Sequence, residues 1–327
     1  MPHRDYTRIE QITAQHGADG GALNRGIWLV RSVRNGQTYV EKKIASEDVV
    51  TDRRAQREVR ALKQLRGHPN VNRIHDYLYD GRGAVPRCHL FLEYCDLGAL
   101  DGVMLRFAAR HTPVPEPFAW HVFYSIASAL AWCHYGTITS PNLTTIDFPI
   151  SDPDWNTTIH RDLKIGNIFL SSSRTAPYSS YPRIVLGDFG LSFQRDQVDG
   201  PGLPSSRHQS RACIGWKPPE CPRYSLRSDV YQLGAVLHSL CLLLKWPDRV
   251  LTGVGTNFSS ELDRAVMQCL RPNPADRPSS VFLASVLRRK IESWWPMGNG
   301  MRPLPAWAFD RTVRVGDAGC HRYQSYA

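Results

Sequence analysis

Asp162, Lys164 and Asn167 set a carboxylate, a cation and an amide within six residues, in the stretch His160-Arg161-Asp162-Leu163-Lys164-Ile165-Gly166-Asn167. The apolar run Ile168-Phe169-Leu170 follows directly, so these groups sit on a loop that leads into a strand. A second acidic site, Gly187-Asp188-Phe189-Gly190, is delivered by Ile184-Val185-Leu186 in the same way. Oxygen donors at the ends of two strands suit a hard divalent cation, and the two sites together suggest a shared metal.

The pair closely resembles the catalytic and metal-binding loops of eukaryotic protein kinases, whose pattern is H-R-D-L-x-x-x-N followed by D-F-G. Every fixed position of the first motif is matched by His160 to Asn167. Polar turns capping two strands would explain either stretch alone, but not both at this spacing. The resemblance implies that Asp162 orients and deprotonates a substrate hydroxyl, that Lys164 neutralises the moving γ-phosphoryl group, and that Asn167 and Asp188 hold Mg²⁺ beside ATP. It also implies an α+β, bilobal fold, with a small β-rich lobe carrying one main helix over residues 1–95 and a larger, mostly helical lobe over 96–295. Residues 296–327 would be a partly ordered tail. The spacings are similar to those of NIMA-related and fungal kinases.

The elements that must position these groups can be read along the chain. Ile27 to Val33 and Thr38 to Ile44 are β-prone runs separated by Asn35-Gly36, a strong hairpin signal. From Thr51 the apolar residues Ala55, Val59, Leu62 and Leu65 recur every three or four positions, which predicts a helix ended by Gly67 and Pro69. Short strands are expected near Ile74 to Leu78 and Leu90 to Glu93. Pro117 opens a helix with Phe123, Ile126, Leu130 and Cys133 on one face, and later helices are expected at 230–244, 261–270 and 280–294. Residues 136–157 and 171–182 lack periodicity and are predicted to be mobile insertions.

A phosphoryl donor needs a cation fixed near its phosphates, and a lysine on a strand provides one. Within Tyr39-Val40-Glu41-Lys42, Lys42 stands where the family's V-A-I-K lysine stands. Lys43 is the neighbour on the opposite face. Glu58 is the resemblance's partner for Lys42, the other reading being a helical pairing of Glu58 with Arg54. The glycine-rich turn matches less well: Gly21-Ala22-Leu23-Asn24-Arg25-Gly26 keeps the outer glycines Gly21 and Gly26 but not the middle one, and Gly17 and Gly20 offer other registers. The resemblance further implies that Val40 and Phe169 touch the nucleotide, that Leu92 closes the back of its pocket, and that Glu93 and Cys95 contribute backbone contacts to adenine.

Downstream, Pro218-Pro219-Glu220 resembles the family's A-P-E, which pairs Glu220 with Arg277 in a buried brace. Asp229 matches the helix aspartate that holds the catalytic loop from below, and Phe189 is the aromatic of D-F-G. Arg161 beside Asp162 suggests control by a phosphate on the intervening loop, with Ser206 and Ser210 as the candidate acceptors. Ala212-Cys213 replaces the Gly-Thr usual in serine/threonine kinases, whereas Lys164 retains their signature. Gly166 falls where some kinases carry an acid that reads basic substrates, so no basophilic preference follows.

Composition bounds the alternatives. The 327 residues are 42% hydrophobic, ample for a buried core. The opening residues hold no apolar run of the signal-peptide kind, and the longest hydrophobic stretch, Leu233 to Leu244, is too short to span a bilayer. Eight scattered cysteines without a C-x-x-C pair predict reduced thiols in a cytoplasmic or nuclear protein. A net charge of +10 invites a nucleic-acid reading, but the Lys and Arg residues are spread over helix faces without interleaved aromatics. The expected partners are therefore ATP and protein substrates, with no membrane. The rival readings are a pseudokinase or scaffold, favoured by the imperfect glycine turn, and a small-molecule kinase, disfavoured by D-F-G together with Glu220 and Arg277.

Overall fold

The computed structural model describes residues 5–12, 24–44, 54–80, 87–137, 154–173, 181–197, 214–245, 247, 252–294 and 302–310. Its chain opens with β1 (Tyr6–Gln11), which lies antiparallel against β2 (Asn24–Ser32). Sequence patterning leaves β1 unresolved within the general β-richness of the first fifty residues, because its alternation is Tyr-Thr-Arg-Ile-Glu-Gln and mostly exposed. The Asn35-Gly36 turn then folds β2 onto β3 (Thr38–Ile44). Gly36 takes φ +69°, a conformation open to glycine, and Ser32 N–H donates to Gln37 O at 2.9 Å. β4 (Ile74–Asp80) and β5 (Arg87–Glu93) complete an antiparallel sheet in the order β1-β2-β3-β5-β4. α1 (Arg54–Gln64) packs its Ala55, Val59 and Leu62 into the core and is followed by Gly67 at φ +103°.

The larger part is built on α3 (Glu116–Tyr135), which follows β6 (Gly98–Ala99) and α2 (Leu100–Ala109). α3 buries Phe118, Trp120, Phe123, Ile126 and Leu130, and packs against both α4 (Leu226–Leu242) and α6 (Ser280–Trp294). Burial on nearly every side marks it as the central helix, and each fully buried aromatic contributes roughly 1.5–3 kcal/mol. It starts behind Pro115 with a proline in its first turn and stops at Gly136, left-handed at φ +68°. Ser225 and Ser228 form a capping box that starts α4 before the sequence pattern expects it, and Ser259 caps α5 (Ser260–Cys269).

Between α3 and α4 run the short strands that carry the polar groups. β7 (Thr158–Ile159) pairs with β10 (Phe193–Gln194), while β8 (Ile168–Ser171) lies between β6 and β9 (Arg183–Leu186). Most of both expected insertions lies outside the described residues, but their ends are packed. Trp155 stacks edge-on to Trp132, and Tyr181, 2% exposed, meets the ring of Phe118. In the tail, residues 302–310 are described, with a helical turn at Ala306–Phe309 that packs on α2.

Candidate active site

β3 turns Lys42 inward beside α1, and the register that sets Lys42 opposite Leu90 sets Val40 opposite Leu92. Two residues apart on one strand, Val40 and Lys42 share a face, and Lys43 turns to the other. Lys42 Nζ donates to both carboxylate oxygens of Glu58, at 2.8 and 3.0 Å, and to Asp188 Oδ1 at 2.7 Å. Lys42 is 4% exposed and Glu58 fully buried, so each charge relies on the other for compensation.

Asp188 follows β9 at φ +58°, a left-handed backbone uncommon outside glycine and short polar residues, and the chain leading into it is constrained. The constraint comes from both sides. Leu186 pairs with Val71, Asn72 N–H donates to Leu186 O, and Gly187 N–H donates to Asn167 O at 2.9 Å. A Cβ on Gly187 would stand 2.6 Å from the ring of Phe169, so glycine is what lets β8 and the start of the Asp188 turn approach. Phe189 is buried, and the His160 ring meets it edge-on at 4.7 Å.

The loop from His160 to Asn167 is held from within and from below. His160 Nε2 lies 3.0 Å from Gly187 O while its Nδ1 accepts from Asp162 N–H, which assigns the neutral Nε2–H tautomer. Asp229, in the first turn of α4 and fully buried, accepts from the backbone N–H groups of His160 and Arg161 at 2.8 Å each and from His134 Nε2 at 3.0 Å. These contacts hold Arg161 at φ +70°. Gln232, one turn further along α4, accepts from Leu163 N–H and donates to the carbonyls of Arg161 and Trp216.

On this frame Asn167 donates Nδ2 to Asp162 O at 2.7 Å and to Asp162 Oδ2 at 3.1 Å, and Lys164 Nζ lies 3.3 Å from the same Oδ2. The amide nitrogen of Asn167 is thus committed to Asp162, leaving its oxygen as the atom suited to a cation. Among the described residues no group of three or more His, Cys, Asp or Glu could hold a metal by itself. One carboxylate, Asp188, and one amide oxygen, Asn167, instead fit the sparse protein ligation of Mg²⁺, which keeps water and takes phosphate oxygens.

The other predicted residues fall as follows. Arg277, 2% exposed, donates two parallel bonds to Glu220, at 2.7 and 2.8 Å, and further bonds to the carbonyls of Arg271, Pro272 and Arg227. Burial raises the Glu220 pKa, but the bonds from Arg277 and Ser228 outweigh it and leave the carboxyl below its ordinary value. Glu93 pairs its side chain with Arg183, and its N–H donates to Arg73 O at 2.8 Å. The Cys95 thiol is buried and its pKa pushed up to about 12, which leaves it inert and only its backbone of use to a ligand. Gly26 lies in β2, at the irregularity between Asn24 and Ile27, with φ +140°. Gly21, Ser206, Ser210 and Cys213 lie outside the described residues.

Sequence reading missed His134, Gln232 and Gln64. His134 bridges Asp229 and Ser280 Oγ, the latter at 2.8 Å, and Gln64 donates to Asn156 O and accepts from Gln194 Nε2. His134 and Gln232 are polar residues on buried helix faces and Gln64 is half-buried at the end of α1, and a polar residue in an apolar helix pattern was the available signal.

Comparison with known proteins adds to this geometry. The "Protein kinase domain" family matches residues 26–143, and the "Protein tyrosine and serine/threonine kinase" family matches residues 154–287. The chain is 29% identical over 266 residues to the G2-specific protein kinase nimA of Emericella nidulans, covering 72% of this chain and 35% of nimA. It is 28% identical over 312 residues to the G2-specific protein kinase nim-1 of Neurospora crassa, covering 86% of this chain and 33% of nim-1. It is 26% identical over 248 residues to the serine/threonine-protein kinase Nek2 of Mus musculus, covering 73% of this chain and 48% of Nek2. The chain therefore spans between a third and a half of these relatives' lengths.

Proposed function

The chain belongs to the protein kinase family, among the NIMA-related serine/threonine kinases, and from that membership we propose that it transfers the γ-phosphoryl group of ATP to serine or threonine hydroxyls of proteins. The observation that carries this reading is two polar groups, Lys42 with Glu58 and Asp188, and Asp162 with Asn167 and Lys164, on turns linked by the Gly187 N–H bond to Asn167 O.

In that reading Lys42, oriented by Glu58, places the α- and β-phosphates. Asp162, steered by Asn167, orients the acceptor hydroxyl and takes its proton at a carboxylate oxygen. Lys164, beside Asp162, neutralises charge on the migrating phosphoryl group. Asn167 and Asp188 would hold Mg²⁺, which shields the phosphate charge when bound. Val40, Leu92 and Phe169 would enclose the adenine ring between β3 and β8, with backbone groups of Glu93 and Cys95 meeting its edge.

Regulation by a loop phosphate at Ser206 or Ser210 is supported by Arg161. Its guanidinium lies 5.1 Å from the centre of the Tyr224 ring, and its Nε is buried without a hydrogen-bond partner among the described residues. Burial also lowers the Arg161 pKa, the mark of a cation that would gain from an anion nearby. Action on protein substrates fits the relatives, which are named as protein kinases. No helix among the described residues is long and apolar enough to cross a membrane.

Incubation of the purified protein with Mg-ATP and a generic serine/threonine substrate tests the reading. Transfer by the wild type and none by Asp188→Ala supports it. Equal, background-level signals from both would instead favour a pseudokinase or scaffold that binds nucleotide or partners without phosphotransfer.

A further inference from the structure

Residues 302–310 lie beyond the stretches matched by either kinase family, yet they are built into the fold as a strap across α2. Leu304 and Ala308 are buried at 7% and 0% exposure. Trp307 packs on Phe107 of α2 with ring centroids 4.7 Å apart, and the Arg110 guanidinium lies 4.3 Å from the centre of the Trp307 ring. Arg106, 3% exposed, donates Nε to Asp310 O at 2.6 Å and Nη1 to Ala308 O at 3.2 Å. Gly102, one turn earlier in α2, makes room for that arginine: a Cβ there would stand 3.3 Å from Nη1. A guanidinium is buried at a cost unless its N–H groups are met, and the strap carbonyls meet them. With the strap displaced, Arg106 would lose two acceptors and Phe107 an aromatic cover.

α2 borders the site at its other end. It continues from β6, where Ala99 lies opposite Phe169 of β8. The Asp101 carboxylate lies 3.5 Å from where a Cβ on Gly166 would be, in the turn Ile165–Asn167. Lys164 and Gly166 are the half-exposed residues of that loop, whereas Asp162 and Asn167 are buried. The side of the loop that α2 borders is thus the open one, where a protein acceptor must lie.

We infer that the strap is a positioning element for the protein substrate. By holding α2 against the turn at Gly166, it sets how well the acceptor chain is bound, while the groups that move the phosphoryl remain as they are. Trp307 and Arg106 act through α2 and touch neither ATP nor substrate. This inference rests on the phosphotransfer reading, and its test includes a measurement that needs no activity.

The experiment uses the whole chain carrying Trp307→Ala, with Trp307→Phe as the conservative variant. KM for a peptide substrate rises about five- to tenfold in Trp307→Ala, while kcat and KM for ATP stay at wild-type values and Trp307→Phe restores peptide KM. Hydrogen exchange speeds up in Leu100–Ala109 and in Ile165–Asn167, but not in α1 or the β1-β2-β3-β5-β4 sheet. An unchanged peptide KM, or unchanged exchange at Ile165–Asn167 alongside a lowered melting temperature, overturns the inference and leaves the strap as a purely structural anchor. A wild type without phosphotransfer sinks the functional reading instead, and the exchange data then decide the strap's role alone.

Discussion

Lys42 and Glu58 are joined by two hydrogen bonds from one ammonium to both oxygens of one carboxylate, across the gap between β3 and α1. The same ammonium reaches Asp188, so one buried lysine ties the sheet, the helix and the turn at Asp188 together. Glu58→Gln keeps the shape and removes the charge. Lys42 then leans on Asp188 alone, and kcat/KM for ATP is expected to fall about 10²-fold, the scale of a misplaced catalytic group. Steady-state kinetics with varied ATP check this, and wild-type values would refute it.

Asp162→Asn retains the contact with Asn167 in size but cannot accept a proton. A drop in kcat of about 10²- to 10⁴-fold is expected, with the melting temperature unchanged because the loop is held by Asp229 and Gln232. A variant that keeps its activity would remove Asp162 from the role of base.

Arg277→Ala leaves the Glu220 carboxylate without its fork and frees three backbone carbonyls. Breaking such a buried pair costs about 3–5 kcal/mol, and the melting temperature should fall accordingly. Arg277→Lys should recover only part of the loss, since a single ammonium cannot make the two parallel bonds. Denaturant melts of both variants check the order.

Gly187→Ala drives a methyl group to within 2.6 Å of the Phe169 ring. Overpacking of this kind costs roughly 1–3 kcal/mol, and the ring that yields is the one expected under adenine. A raised KM for ATP with a modest loss of stability is the expected pair of effects, read from kinetics and thermal melts on one preparation. Unchanged affinity would separate Phe169 from the nucleotide.

Glu41 carries a pH dependence. Burial raises its pKa, but the bonds from His89 at 2.6 Å and from Arg8 at 2.8 and 3.1 Å overcome that and hold it at about 2. A carboxyl depressed in the folded state stabilises the fold above its unfolded pKa and loses that contribution as pH falls through its folded one. Arg8→Ala should therefore be less stable than wild type at neutral pH, and the gap should close as pH drops from about 5 toward 2. Melting temperatures across that range check the sign, and a gap independent of pH would contradict it.

The lobes, the helix carrying Glu58 and the hairpin carrying Lys42 were legible because each rests on local patterning: a 3.6-residue period, an Asn-Gly turn, an apolar strand beside a polar loop. The Glu220 to Arg277 brace was legible only through motif resemblance, since the two residues lie 57 positions apart. β1 was not legible, because it is half exposed and gains its cover from Tyr6 stacking on Phe91 at 3.8 Å, a contact made far along the chain. Gly26 pointed to a phosphate turn by spacing, and it lies at the irregular start of β2, the residues before Asn24 being outside the described ones. Gln232 acts by bonding to backbone groups, which carry no sequence signature, and His134 by bonding to Asp229 and Ser280, 95 and 146 positions away.

Arg161 and Asp188 share a property that sets stability against function. Both hold left-handed backbone without being glycine, at φ +70° and +58°, and such strain costs on the order of 1–3 kcal/mol at each position. Glycine at either place would relieve that backbone but would remove the Asp188 bond to Lys42 or the Arg161 contact with the Tyr224 ring. A screen for thermostable variants would weigh those terms against each other, and any glycine it rewarded would have lost the cation beside the proposed base or the carboxylate of the proposed metal site. At these two positions the side-chain contacts and the preferred backbone thus pull in opposite directions.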